Sequence, residues 1–71
     1  MKAGDQIIIA AKAQAVGQLE VHKANIKVYQ TMPAGIGEHS DVTEAVISEL
    51  DKMSACHDRI EMIEKYFEIN G

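Results

Sequence analysis

Apolar residues recur every three or four positions along most of this chain of 71 residues, which is the spacing of one face of a helix. Two segments carry the pattern, at about residues 5–31 and about 41–69, and Pro33 prevents the first from continuing. Helices of equal length joined by a loop over about residues 32–40 favour an antiparallel arrangement. The pattern predicts an all-α fold with one domain over residues 1–71, a two-helix hairpin.

Each predicted helix has an apolar stripe that suits the contact with the other helix. The opposite face of the second helix is mostly acidic and is expected to face water. The predicted stripe of the first helix consists of Ile8, Ala15, Leu19, Ile26 and Tyr29, and that of the second of Val42, Val46, Leu50, Met53, Cys56, Ile60, Ile63 and Phe67.

The first helix has a second apolar face, about half a turn away from its stripe. This face is formed by Ala10, Gly17, Val21, Ala24 and Val28. Because a glycine inside a helix costs about 1 kcal/mol relative to alanine, Gly17 suggests that another backbone comes close here. We therefore predict a homo-oligomer, most simply a dimer forming a four-helix bundle. The alternative is that the alanines only reflect their high helix propensity.

Charge is distributed unevenly along the chain, whose formal net charge is −4. Residues 1–37 carry four lysines and two acids, whereas residues 38–71 carry nine acids and three basic residues. Nucleic-acid binding depends on dense clusters of basic residues, so we expect no nucleic-acid partner. A helix pair that binds nucleic acid through Lys12, Lys23 and Lys27 is a third possibility, which the acidic second helix opposes.

Membrane insertion and disulfide formation are both disfavoured. The longest apolar run, Ile7–Ala11, is far too short to span a bilayer, and no signal peptide is expected. A single cysteine, Cys56, excludes a disulfide within the chain and fits a reducing cytosol.

The segment over residues 32–42, MPAGIGEHSDV, has the composition of a turn between helices. Pro33 and two glycines suit a tight connection, and Asp41 is a plausible N-cap with Glu44 three residues later, as in a capping box. The alternative is a phosphate site at the start of the helix. Neighbouring carboxylates would lie where a phosphate would bind. We therefore predict that this segment is a structural turn between the two helices, the corner of the hairpin.

Soft metal ligands are few and are spread along the chain. They are His22, His39, His57 and Cys56. In the hairpin, His22 lies across from about residue 50 and His57 across from about residue 15. The two histidines are therefore about 10 Å apart along the axis, which is too far for them to bind one ion. We predict no cofactor and no metal site within one chain. A site across a subunit interface that uses His22, Cys56 or His57 is the alternative.

Catalysis requires a pocket and a partner that shifts the pKa of an acid or base. A two-helix hairpin offers little concavity, and most of its acids lie on the exposed face. Glu49 is the one carboxylate close to the stripe of the second helix, where it is expected to reach water. We predict no catalytic residue and no enzymatic activity.

The second half of the chain resembles a group of small proteins of marine cyanophages and ocean viral metagenomes. The resemblance covers residues 35–67, from a Gly-Ile-Gly-Glu-His-x-Asp corner to a helix ending in Lys-Tyr-Phe. The group has no established activity, so the resemblance assigns no functional residue. It implies a viral protein in the cytosol of a bacterial host or in a virion. The shortness of the apolar runs separately predicts no membrane partner.

These observations predict a small, non-enzymatic accessory or structural protein that binds itself and another viral or host protein. The alternative is an oligomeric metal- or ligand-binding protein with its site between subunits.

Overall fold

The computed structural model describes residues 3–32 and 39–67, which form two long helices. Helix α1 spans Ala3–Gln30 and helix α2 spans His39–Tyr66. The helices pack against each other along their lengths, and the molecule measures 53 × 15 × 15 Å. Lys12 contacts Glu64 whereas His22 contacts Glu49, so the two helices run antiparallel. The predicted all-helical hairpin is confirmed for the described residues.

The contact between the helices follows a seven-residue repeat on both sides. Steps of four and three residues alternate along the inner face, as in an antiparallel coiled coil. On α1 the inner face is Ile8, Lys12, Ala15, Leu19, His22, Ile26 and Tyr29, and on α2 it is Val42, Val46, Glu49, Met53, Cys56, Ile60 and Ile63. All five residues predicted for the stripe of the first helix lie on this face, which confirms that stripe.

The core of the hairpin is thin. Among the described residues, the buried apolar side chains are Ala15, Cys56 and Ile63, with 0%, 5% and 6% of their surface exposed. The other apolar residues of the inner face are half-buried. Two helices cannot surround a large side chain completely, so burial stabilises this fold less than it stabilises a domain with several layers.

Two residues predicted for the stripe of the second helix lie outside the contact. Leu50 is 49% exposed and Phe67 is 54% exposed. The repeat of α2 steps from Val46 to Glu49, so Leu50 faces outward beside the contact. Phe67 follows the last residue of α2, and its N–H donates to the carbonyl of Ile63 at 2.9 Å. Both assignments to the stripe were wrong.

The second helix begins at His39, two residues before the predicted N-cap. Asp41 therefore lies in the first turn and not at the N-cap, and Glu44 lies beyond that turn, too late for the reciprocal bond of a capping box. A carboxylate in the first turn is still favourable, because N–H groups there lack partners within the helix and the helix dipole attracts negative charge.

The first helix ends with hydrogen bonds made by Thr31. Its N–H donates to the carbonyls of Lys27 and Val28, both at 3.2 Å, and its hydroxyl donates to Val28 at 2.9 Å. The predicted corner around Pro33 falls outside the described residues. Helix α2 ends at Tyr66, and of the predicted extension to residue 69 only residues 68 and 69 lie outside the described residues.

Candidate interaction surface

The face of α1 directed away from α2 carries a second seven-residue repeat, which we call the outer seam. Ile7, Val21 and Val28 on it are 68%, 50% and 63% exposed. Every predicted residue of this face is exposed in the hairpin, and two more belong to the same repeat. The outer seam consists of Ile7, Ala10, Gln14, Gly17, Val21, Ala24 and Val28.

Nothing in the hairpin requires a glycine at position 17. A β-carbon built on Gly17 meets no atom within 4 Å. An alanine there is sterically free and would improve the helix by about 1 kcal/mol. The glycine is therefore explained by a second molecule close to the seam, or it has no structural explanation.

The two helices differ sharply in charge. Asp, Glu, Lys and Arg account for five of the residues of α1 but for ten of those of α2, in helices of 28 residues each. The outward face of α2 carries acids such as Asp51, Asp58 and Glu61, which are exposed. Desolvating charged groups is costly, so α1 presents the surface that can be buried at lower cost.

A polar layer interrupts the apolar contact between the C-terminal half of α1 and the N-terminal half of α2. His22 of α1 donates through Nδ1 to Oε2 of Glu49 on α2 at 2.6 Å, and Asn25 donates to Oε1 of the same carboxylate at 3.2 Å. The side chains of His22 and Glu49 are only 15% and 16% exposed. Glu49 was predicted to lie beside the stripe and to reach water. The signal that places it between the helices is its position in the seven-residue repeat, with His22 opposite.

The layer holds Glu49 in its charged form. The hydrogen bond from His22 is the main cause that lowers the pKa of Glu49, and Asn25, with the charges of His22 and Lys52, acts in the same direction against desolvation. A general acid working near neutral pH needs the opposite shift. The geometry suits a structural role. Any other alignment of α1 against α2 would separate His22 from Glu49 and leave polar groups without partners inside an apolar contact, so the pair favours the observed alignment.

Acid should remove the contribution of this layer to stability. The folded pKa of Glu49 lies below its ordinary value of 4.5, so the stabilisation is present above that pH and is lost as pH falls through the lower folded value. We expect Glu49→Gln to lower the melting temperature at neutral pH, and the difference from the wild type to vanish in acid. Melting curves followed by circular dichroism at the two pH values measure both.

The matched control for this experiment is Glu44→Gln, an exposed carboxylate on the same helix. It removes the same charge without touching the layer, so it should change the melting temperature little at either pH. A Glu49→Gln difference that persists undiminished in acid would contradict the assignment of the charged carboxylate to this layer.

The candidate metal ligands do not come together. His22 contacts Glu49 between the helices, whereas His57 is exposed and contacts Glu61 of its own helix at 2.9 Å. Cys56 is buried in the core. Across residues 3–32 and 39–67, no three or more His, Cys, Asp or Glu side chains are grouped to hold a metal ion. The side chain of His39 lies outside the described part of the chain.

The lysines considered for nucleic-acid binding are partly engaged with acids. Lys12 reaches Glu64 of α2 at 3.2 Å, and Lys23 reaches Glu20 one turn earlier at 3.4 Å. Lys27 lies in the last turn of α1, where a cation is favourable to the helix dipole. Lys12 therefore links the two helices, and Lys23 pairs with an acid of its own helix.

Within the described residues, neither helix is long and apolar enough to cross a membrane. Comparison with protein-family models, curated proteins and solved structures found no match to this chain.

Proposed function

We propose that this chain is a non-enzymatic helical interaction protein that functions as a homo-oligomer, most simply a dimer in which two hairpins form a bundle of four helices. The observation that carries the proposal is the outer seam, a seven-residue repeat that is apolar except at Gln14 and that the hairpin leaves exposed. Ile7, Val21 and Val28 on it are each at least half exposed. Soluble proteins rarely leave such a long apolar stripe in contact with water.

The surface area of the hairpin supports association. The chain of 7.8 kDa exposes 5381 Å², whereas a compact monomer of this mass exposes about 4,400 Å² by the usual scaling of area with size. The excess of about 1,000 Å² is similar to the roughly 800 Å² that each partner buries in an interface of standard size. A dimer of standard interface size would bury most of this excess on each chain.

The thin core supports the same conclusion. Chains shorter than about 70–80 residues seldom obtain more than about 3–5 kcal/mol from one hydrophobic core, and usually add a disulfide, a metal or a partner subunit. Cys56 is the only cysteine of the chain, which removes an internal disulfide. A partner subunit supplies the missing burial through side chains that are already apolar and exposed.

The resemblance of residues 35–67 to cyanophage proteins supports a setting in a host bacterial cytosol or a virion. A dimer through α1 leaves the charged outward face of α2 open. We propose this face as the surface for a further viral or host protein.

The proposal is tested by sedimentation velocity over concentrations from micromolar to millimolar. We expect the wild type to be dimeric and Val21→Glu to be monomeric with unchanged helix content, because a charge in the seam must be desolvated on association. Ile47→Glu is the matched control, since Ile47 is 51% exposed and Val21 is 50% exposed, on different helices. It should remain dimeric. A wild type that stays monomeric throughout would refute the proposal.

A further inference from the structure

Resting on the proposed function, we infer that the partner on the outer seam is a second copy whose α1 runs antiparallel to the first, with a twofold axis passing between Gln14 and Gly17. The order of large and small side chains along the seam and their exposure in the hairpin favour this arrangement.

Large and small residues alternate strictly along the outer seam. The larger side chains are Ile7, Gln14, Val21 and Val28, and the small residues between them are Ala10, Gly17 and Ala24. Each set repeats every seven residues, so one edge of the seam is raised and the other is recessed. When one copy is reversed about a twofold axis, the large set of each helix comes level with the small set of the other.

An antiparallel pair places a large residue against a small one in each layer. Ile7 lies opposite Ala24 of the second copy, Ala10 opposite Val21, and Gln14 opposite Gly17. The layers then have similar volumes, which permits a constant and close distance between the two helices. The small residues provide the space into which the larger side chains fit.

A parallel pair places each residue against its own copy. Layers in which Gly17 meets Gly17 would then alternate with layers in which Val21 meets Val21. The larger pairs would hold the helices apart and leave voids at the small pairs, which costs dispersion energy. Antiparallel helices also align their dipoles favourably.

Gln14 is the one polar side chain of the seam, and its position fits the proposed axis. The two Gln14 residues lie on either side of the axis, about 4.5 Å apart along the helices. An amide both donates and accepts hydrogen bonds, so the two side chains can satisfy each other when the seam is buried. An apolar residue there would lack this way of fixing the register.

The arrangement places both α1 helices in the centre and both α2 helices outside, because the outer seam lies nearly opposite the inner face of α1. This order matches the distribution of charge, since α2 carries twice as many charged residues as α1. The helix with fewer charges becomes the buried one.

Distances between spin labels on the dimer test the orientation. Single cysteines replace Gln18 or Lys27, both exposed and outside the seam, in a Cys56→Ala background. With the axis between Gln14 and Gly17, labels at position 27 are about 35 Å apart along the helices, whereas labels at position 18 are offset by only about 8 Å along them. Pulsed electron paramagnetic resonance measures these distances on samples shown to be dimeric by sedimentation. We expect a long distance between labels at position 27 and a short distance between labels at position 18.

Two short distances in a dimer would indicate parallel helices and overturn this inference while the proposed dimer stands. Two long distances in a dimer would indicate contact through another face and also overturn it. A monomeric wild type would refute the proposed function and the inference together. Circular dichroism checks the fold of the background, and Cys56→Val replaces Cys56→Ala if the alanine variant is unfolded.

Discussion

Replacing Ile63 with alanine is expected to unfold the hairpin or nearly so. Ile63 of α2 is 6% exposed and belongs to the small buried core between the two helices. Replacing a buried isoleucine with alanine lowers the free energy of unfolding by about 2–5 kcal/mol. A core of this size rarely supplies more than about 3–5 kcal/mol in total. One substitution therefore removes most or all of the stability that the core of a single hairpin supplies.

Thermal and urea unfolding followed by circular dichroism measure the effect at one fixed protein concentration, since association also contributes to stability. Ile47→Ala is the control with identical chemistry on the same helix, because Ile47 is 51% exposed. It should change the free energy of unfolding by about 0.5 kcal/mol or less. Equal losses in the two variants would show that Ile63 does not occupy a special position in the core.

Replacing Gly17 with leucine is expected to stabilise the helix and weaken the dimer. Leucine has a higher helix propensity than glycine by about 0.8 kcal/mol, and the hairpin has open space at this position. In the proposed dimer the same position is the point of closest approach. Overpacking there costs about 1–3 kcal/mol, which raises the dissociation constant about 5- to 150-fold.

Gly17→Ala separates these two effects. Alanine already occupies the equivalent positions of the seam at residues 10 and 24, so this variant should gain helix stability and keep the dimer. Sedimentation equilibrium gives the dissociation constants of the three proteins. A leucine variant that associates as tightly as the wild type would remove Gly17 from the interface.

The sequence predicted the hairpin and the inner face of the first helix because those features depend on local spacing. Ile8, Ala15, Leu19 and Ile26 repeat at helical intervals, and no other secondary structure has that period. The exposed outer face was predictable for the same reason. Each of these features is a property of one helix considered alone.

The polar layer was not predictable in the same way, because it depends on how one helix is rotated against the other. Leu50 looked like the better inner residue than Glu49, since leucine is apolar. In the structure, the repeat from Val46 to Met53 places Glu49 inside, and the desolvation of its carboxylate is offset by hydrogen bonds from His22 and Asn25. That compensation involves two segments far apart in the sequence.

The start of the second helix also differed from the prediction, since helix α2 begins at His39. Asp41 has the side chain of a typical N-cap, but the same side chain is favourable in the first turn. A single acid near a helix start therefore indicates that a helix begins there without fixing which residue is first.

The shared period of the two faces of α1 restricts how the length of this helix can change. One inserted residue rotates everything after it by about 100°, which would turn both the inner face and the outer seam away from their partners at once. An insertion or deletion of seven residues adds or removes about two turns and leaves both faces nearly aligned. When the change lies between His22 and the end of α1, the stretch of α2 before Glu49 must change by the same amount to keep His22 opposite Glu49. Hairpins of this design are therefore expected to differ in length by matched heptads in both helices.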